Sequence, residues 1–331
     1  FYNIAIDMAK PYNVYGGLQD NGTWFGSSAT KENYDWYDGG HNPYTMLGGG
    51  DGMQVQVDWR DNKTVYSGSQ FGAYYRQNLV TKERKSVRPS RDLGETALRY
   101  NWQTPILLSR HNQDVFYYGS NKFHRSMSKG DSLVTLSTEL TSNPAQGDVP
   151  YGTLTTMSES PFRFGLIYVG TDDGMIHLSK DGGYTFSLLS AKLPKGLYVS
   201  RVLASAYSES RVYATMNGYR NDHFNAYVYV SNDYGTTWTQ IMKDLPLEAV
   251  NVITEDNISS QVLYVGTDGG LYVSTDGGAS SMGWNKGLPN AVPIHDIVIH
   301  PRDNEIILGT HGRSLYTSKL DDSRRSINAP F

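Results

Sequence analysis

Short runs of β-branched and aromatic residues ending in a small residue recur along the chain. They are N-V-Y-G-G at 13, T-V-Y-S-G-S at 64, V-F-Y-Y-G-S at 115, L-I-Y-V-G-T at 166, R-V-Y-A-T at 211, V-L-Y-V-G-T at 262 and E-I-I-L-G-T at 305. Aligned on Gly17, Gly68, Gly119, Gly170, Ala214, Gly266 and Gly309, they stand 51, 51, 51, 44, 52 and 43 residues apart. Apolar runs this short, bounded by turn residues, read as strands, and a repeat of this period with four strands per unit reads as propeller blades.

Each unit has the same order. An inner strand comes first: I-A-I-D at 4, V-Q-V-D at 55, I-L-L-S at 106, L-T-T-M at 154, V-L-A-S at 202, V-I-T-E at 252 or I-V-I-H at 297. The small-residue run follows, then a third strand such as M-I-H-L-S at 175 or L-Y-V-S at 271, then an outer strand. Period-2 alternation is imperfect in the inner strands, as expected where both faces are covered. The reading is an all-β, seven-bladed propeller of four-stranded antiparallel blades spanning 1–331, with very little helix.

Three third-to-outer connections share a phrase: S-K-D-G-G-Y-T-F from Ser179, S-N-D-Y-G-T-T-W from Ser231 and S-T-D-G-G-A-S-S from Ser274. Asp181, Asp233 and Asp276 can each turn a carboxylate onto backbone N–H groups, while Gly183, Gly235 and Gly278 supply the positive φ of a tight hairpin. These acids are expected to be structural.

Composition narrows the alternatives. The 34 glycines and 25 tyrosines suit many turns between aromatic strands, and a net charge of -4 leaves no basic footprint for nucleic acid. Without cysteine there are no disulfides, thiol chemistry or Cys-based zinc sites. His41, His111, His124, His177, His295 and His300 show no metal-ligand spacing, and no cofactor motif is present. No apolar run is long enough to span a membrane. Asn21, Asn62 and Asn257 match the glycosylation pattern by chance. The chain opens at Phe1 directly in a strand, which reads as a processed product or a piece of a longer protein.

Blade geometry directs attention to one face. Second-to-third turns and blade-to-blade connectors share it, and the Asp turns lie opposite. On the connector face the sequence places Gln19 and Asp20, Gln70, Asn121, Asp172 and Asp173, Arg220 with Asp222 and His223, Asp268, and His311 with Arg313. Three insertions are assigned to it as well: 38–52, which holds the G-G-G-D-G run around Asp51, 88–103, and 140–151. Long loops on a rigid scaffold are where binding sites concentrate. Tyr100 and Trp102 could stack on a sugar or peptide, or plug the channel. The glycine run lacks the Lys-Ser/Thr and following helix of a phosphate loop.

The Asp phrase is similar to the Asp-box, or BNR repeat, of sialidases, xyloglucanase-type hydrolases and sortilin-type receptors. P-Y-N-V-Y-G-G-L-Q-D-N-G-T-W at 11, N-Y-D-W-Y at 33, R-Y-N-W-Q-T-P-I-L-L-S at 99, I-H-D-I-V-I-H-P-R-D at 294 and G-T-H-G-R-S at 309 resemble bacterial sortilin-like or glycosyl-hydrolase-like BNR-repeat proteins. That resemblance implies a secreted or periplasmic protein with propellers in tandem.

Two functions remain. The preferred one is a non-catalytic binding or scaffolding propeller whose connector face docks a protein, peptide or glycan. The alternative is a glycoside hydrolase using two carboxylates from Asp20, Asp51, Asp172, Asp222 and Asp268, at a spacing of about 5 to 9.5 Å. Ring closure is also open: either 325–331 complete blade seven, or a segment outside this chain does.

Overall fold

A computed structural model of the chain describes residues 1–31, 43–91 and 93–320. The N-Y-D-W-Y motif at 33, His41 and the tail beyond Leu320 lie outside the described residues, and with them the question of a fourth strand in blade seven. The chain forms seven antiparallel sheets in sequence order, six of four strands and a seventh with three among the described residues. Among the described residues, two single-turn 3-10 segments interrupt the strands.

Inner strands run Asn3–Ile6, Gln56–Val57, Ile106–Leu108, Leu154–Glu159, Tyr198–Ala204, Val250–Glu255 and Ile294–His300 in blades one to seven. All seven small-residue marks fall in second strands. The reason is steric. A Cβ on Gly170 would lie 2.5 Å from Val199 Cγ1 in the next blade, and one on Gly17, Gly119, Gly266 or Gly309 would likewise crowd the next blade, whereas at Gly68 it would meet Ala73 and Tyr74 of its own.

Packing follows the same logic. Each of seven apolar clusters straddles one blade boundary, for example Tyr66 and Tyr74 of blade two against Phe116 and Tyr118 of blade three. Tyr66 and Phe116 stack at 4.6 Å. Every blade therefore buries both faces, which explains the weak alternation.

The seam between blades seven and one closes through hydrogen bonds. Phe1 N donates to Thr310 O (2.7 Å), Asn3 Nδ2 and Ile4 N donate to Asp296 Oδ2 (2.5 and 2.9 Å), and Tyr12 donates to Glu305 (2.6 Å). Arg302 grips the carbonyls of Met8 and Ala9 at 2.8 Å each.

One insertion is corrected. Residues 38–42 of the expected 38–52 insertion lie outside the described residues, and Thr45–Gly48 is the outer strand of blade one, paired with the third strand Gly22–Ser27. Of the described part of that insertion, only residues after Gly48 belong to the connector face. The insertions at 88–103 and 140–151 do precede the inner strands of blades three and four, as expected.

Candidate functional site

The Asp turns are closed units. In blade four Ser179 Oγ donates to Asp181 Oδ1 and accepts the Gly183 N–H, both at 2.8 Å, while Asp181 accepts the N–H groups of Tyr184 and Thr185 and the Thr185 hydroxyl. Ser231, Asp233 and Thr237 repeat this in blade five, and Ser274, Asp276 and Ser280 in blade six. Partial burial opposes ionisation of Asp181, but the Thr185 and Ser179 bonds hold its pKa at about 2. The Thr237 hydroxyl does the same for Asp233. Carboxylates so enclosed lock turns.

Blade three holds a fourth copy that sequence reading passed over. Ser126 Oγ accepts from Ser128 N (3.1 Å) and Gly130 N (3.0 Å), and Lys129 occupies the left-handed position (φ 56°) that Tyr234 fills in blade five (φ 60°). Ser128 stands where the other blades have Asp, so only S-x-x-x-G at 126 signalled it.

On the connector face the glycine run packs backbone to backbone against the first second-to-third turn. Gly22 N donates to Gly50 O (2.8 Å) and Gly52 N to Leu18 O (2.9 Å). A Cβ on Gly17 would overlap the Gly52–Met53 peptide. The glycines thus admit this turn rather than a ligand. Asp51, buried, accepts the Asp20 N–H at 2.6 Å and sets Asp20 at the turn's tip, with φ 58° and an exposed side chain. Beside it, Trp102 Nε1 donates to the Tyr2 hydroxyl (3.2 Å), which donates to Gln19 (2.8 Å).

A polar channel runs along the axis. Every blade contributes to its lining, among others through Asn3, Gln54, Gln103, Thr155, Ser200, Asn251 and His295, with Tyr198, Arg201, Asn217 and Arg220 of blade five added. Thr155, Ser200, Asn251 and His295 are the extra residues of β-bulges near the start of the inner strands of blades four to seven. Each reaches a carbonyl of the next blade: Thr155 to Val199 O (2.6 Å), Ser200 to Val250 O (2.7 Å), Asn251 to Ile294 O (3.3 Å) and His295 to Phe1. Bulges re-aim side chains at just such rims. Arg201 bonds Asp296 at 2.7 Å. Burial raises the Asp296 pKa against the pull of Arg201, and burial lowers that of His295 to about 4, with His311 adding to the drop.

The remaining candidates divide. Arg220 lies 4.6 and 4.5 Å from the ring centres of Tyr198 and Tyr219 at the channel rim. Asp268 is exposed and accepts from Asn251 (2.9 Å); His311 packs 5.0 Å from the His295 ring. Asp172 is buried and accepts from the Thr153 amide and hydroxyl (2.8 and 2.5 Å), so it fixes a connector. Asp222 (φ 55°) is exposed in the second-to-third turn of blade five, where His223 bonds Tyr227 at 2.7 Å, and Arg313 is exposed in the last blade's turn. Tyr100 diverges from Trp102. It is buried against Tyr118 with Arg88 4.4 Å above it, beside a separate cavity of about 510 Å³ between the two long connectors. Tyr2, Tyr198, Arg201, Asn217 and Asp296 were missed. For Arg201, Asn217 and Asp296 the signal was polarity within strands otherwise apolar.

No protein-family model matches the chain. A xyloglucanase of Hypocrea jecorina is 30% identical over 168 residues, 50% of this chain but 18% of the enzyme. The GH74 xyloglucanase structure from Xanthomonas campestris superposes with TM-score 0.69 at 16% identity, covering 97% of this chain and 52% of that one. The extracellular domain of a one component system from B. thetaiotaomicron gives 0.63 at 17%, covering 95% and 38%. The chain thus spans about half, or less, of the proteins it matches. The expectation of a non-catalytic docking propeller is corrected by the sequence match to an enzyme, and the hydrolase alternative fits better. No helix among the described residues is long and apolar enough to cross a membrane.

Proposed function

We propose that this chain is one propeller of a longer, extracytoplasmic glycoside hydrolase-like protein and that it holds a glucan such as xyloglucan across its connector face. The match at 30% identity to a xyloglucanase carries the reading. The Asp-turn hairpins, four with the variant in blade three, support placing it among Asp-box, BNR-repeat propellers of the sortilin-like kind.

Burial and hydrogen bonding favour some of the five acids over others for this role. Asp51 positions a turn and Asp172 is enclosed by Thr153. Asp20, Asp222 and Asp268 are exposed on second-to-third turns of blades one, five and six, and we take Asp20 and Asp268, which Asp51 and Asn251 hold by hydrogen bonds. These are the carboxylates assigned to protonate a leaving oxygen or activate water. Asp51 and Asn251 act by holding them.

The test is reducing-end release from xyloglucan and mixed-linkage β-glucan by the full-length protein, with Asp20→Asn and Asp268→Asn. Loss of about 10²-fold or more in kcat with either variant, at unchanged thermal stability, supports the assignment. Turnover of neither polymer, or full activity in both variants, sinks it.

A further inference from the structure

We propose that the cavity between the connectors 88–103 and 140–151 is a second carbohydrate site, which takes a neutral oligosaccharide and anchors the polymer apart from Asp20 and Asp268, neither of which lines it. Its volume of about 510 Å³ falls within the about 300–1,000 Å³ usual for small-ligand sites, whereas the axial channel offers about 100 Å³. The walls are braced. Arg99 spends its guanidinium on the next connector: Nε donates to Gly152 O (3.2 Å), Nη1 to Asn143 (3.3 Å) and Nη2 to Glu139 (2.9 Å) and Thr141 (3.2 Å). Gln146 donates to the carbonyls of Pro144 and Tyr151 and accepts the Tyr151 N–H, fixing the opposite rim. A site held open before its ligand arrives loses less on binding.

The lining supplies both halves of sugar recognition. Phe71, Ala97, Leu98 and Pro150 give an apolar wall for the C–H face of a pyranose. Exposed Arg88 and Asp148 line the cavity from the two connectors. Arg88 lies 4.4 Å over the Tyr100 ring with that hydroxyl and Phe71 O (3.3 Å) as its bonds, so most of its N–H groups are unspent. Asp148 bonds no other described residue. A guanidinium and a carboxylate together suit hydroxyls, which both donate and accept. Arg99 is neutralised by Glu139, and the charges that remain, Arg88 and Asp148, cancel. That balance favours a neutral occupant over a uronate or a charged peptide. Phe71 also meets Trp102 edge-on at 5.1 Å, and Trp102 leads through Tyr2 to Gln19, beside Asp20, so a glucan lying across the connector face reaches the cavity without leaving the surface. Choosing a sugar among neutral amphiphiles rests on the glycan-acting reading above.

Calorimetry and ligand-observed NMR on the full-length protein would use cellotetraose and xyloglucan heptasaccharide, with trigalacturonate as the charged comparator. Binding of at least one neutral oligosaccharide is expected, and Ala97→Trp, which fills the cavity from an exposed position, is expected to remove that site from the isotherm. Arg88→Gln should weaken binding there about three- to tenfold, the worth of one hydrogen bond; if it fails to fold, Ala97→Trp decides. No binding of either neutral sugar, tighter binding of trigalacturonate, or wild-type affinity in a folded Ala97→Trp or Arg88→Gln protein would overturn the proposal. Polymer turnover by the wild type is scored separately. Cavity-dependent binding without turnover refutes the hydrolase reading alone, and turnover with an isotherm that Ala97→Trp leaves unchanged refutes the cavity alone.

Discussion

Replacing Arg201 by Met tests whether the axial ion pair holds the ring together. Asp296 is almost fully buried and accepts from Arg201 (2.7 Å), Asn3 (2.5 Å), Ile4 N (2.9 Å) and Ile297 N (3.0 Å), so it joins blades five, seven and one. Removing one partner of a buried pair typically costs about 3–5 kcal/mol, because the other charge stays behind. Three surviving donors favour the low end, about 3 kcal/mol. With an unfolding entropy of about 2 cal/mol/K per residue, that lowers Tm by about 5 °C. The deficit must also depend on pH. Burial raises the folded pKa of Asp296, and loss of Arg201 raises it further. An acid whose folded pKa exceeds its unfolded value costs no stability below both and costs progressively more as pH rises between them. Urea unfolding of wild type and Arg201→Met at pH 7.5 and 4.5 is therefore expected to show a gap that narrows in acid. Adding Asp296→Asn should recover more than half of it at pH 7.5. A gap below about 1 kcal/mol, or one equal at both pH values, would refute the reasoning.

Ser128→Asp restores the missing carboxylate in the blade-three turn and should raise stability by about 0.5–1 kcal/mol, read as a higher urea midpoint. Gly17→Ala forces a Cβ into the Gly52–Met53 peptide and displaces the turn carrying Asp20; a Tm drop with loss of glucan turnover is expected, and an unchanged protein would contradict the packing described. His124 and His295, whose pKa values burial lowers to about 3 and about 4, are neutral when folded and charge when unfolded. Stability should thus fall as pH drops from about 6.5 toward 4, and His124→Asn should flatten that slope in urea titrations.

Blade number and boundaries were legible because one steric demand, close approach to the next blade, repeats at Gly17, Gly119, Gly170, Gly266 and Gly309, while Gly68 is crowded within its own blade and Ala214 keeps the position small. The faces followed from hairpin order. The channel did not, since a bulge inserts one residue and resets the phase: Thr155, Ser200, Asn251 and His295 read as flaws in strand alternation when they are its re-aimed members. Residues 45–48, taken as part of the connector insertion 38–52, form an outer strand instead, which was missed because Thr45–Gly48 lacks a strong apolar run. Tyr100 and Trp102 looked like a pair, yet alternate residues of an irregular connector entered different environments, one under Arg88 and the other against Tyr2.

The bulge side chains all reach round the axis in one sense, from blade four to five, five to six, six to seven and seven to one. This divides labour along the channel wall. Positions 155, 200, 251 and 295 are bound to the hoop, so changing them threatens the ring before it alters recognition. Gln103, Asn217 and Arg220 carry no such duty toward the next blade's inner strand beyond the single Asn217 amide bond. A lineage could retune what enters the axis at those three places while the disc stays closed, and substitutions recovered from selection for a new ligand should gather there.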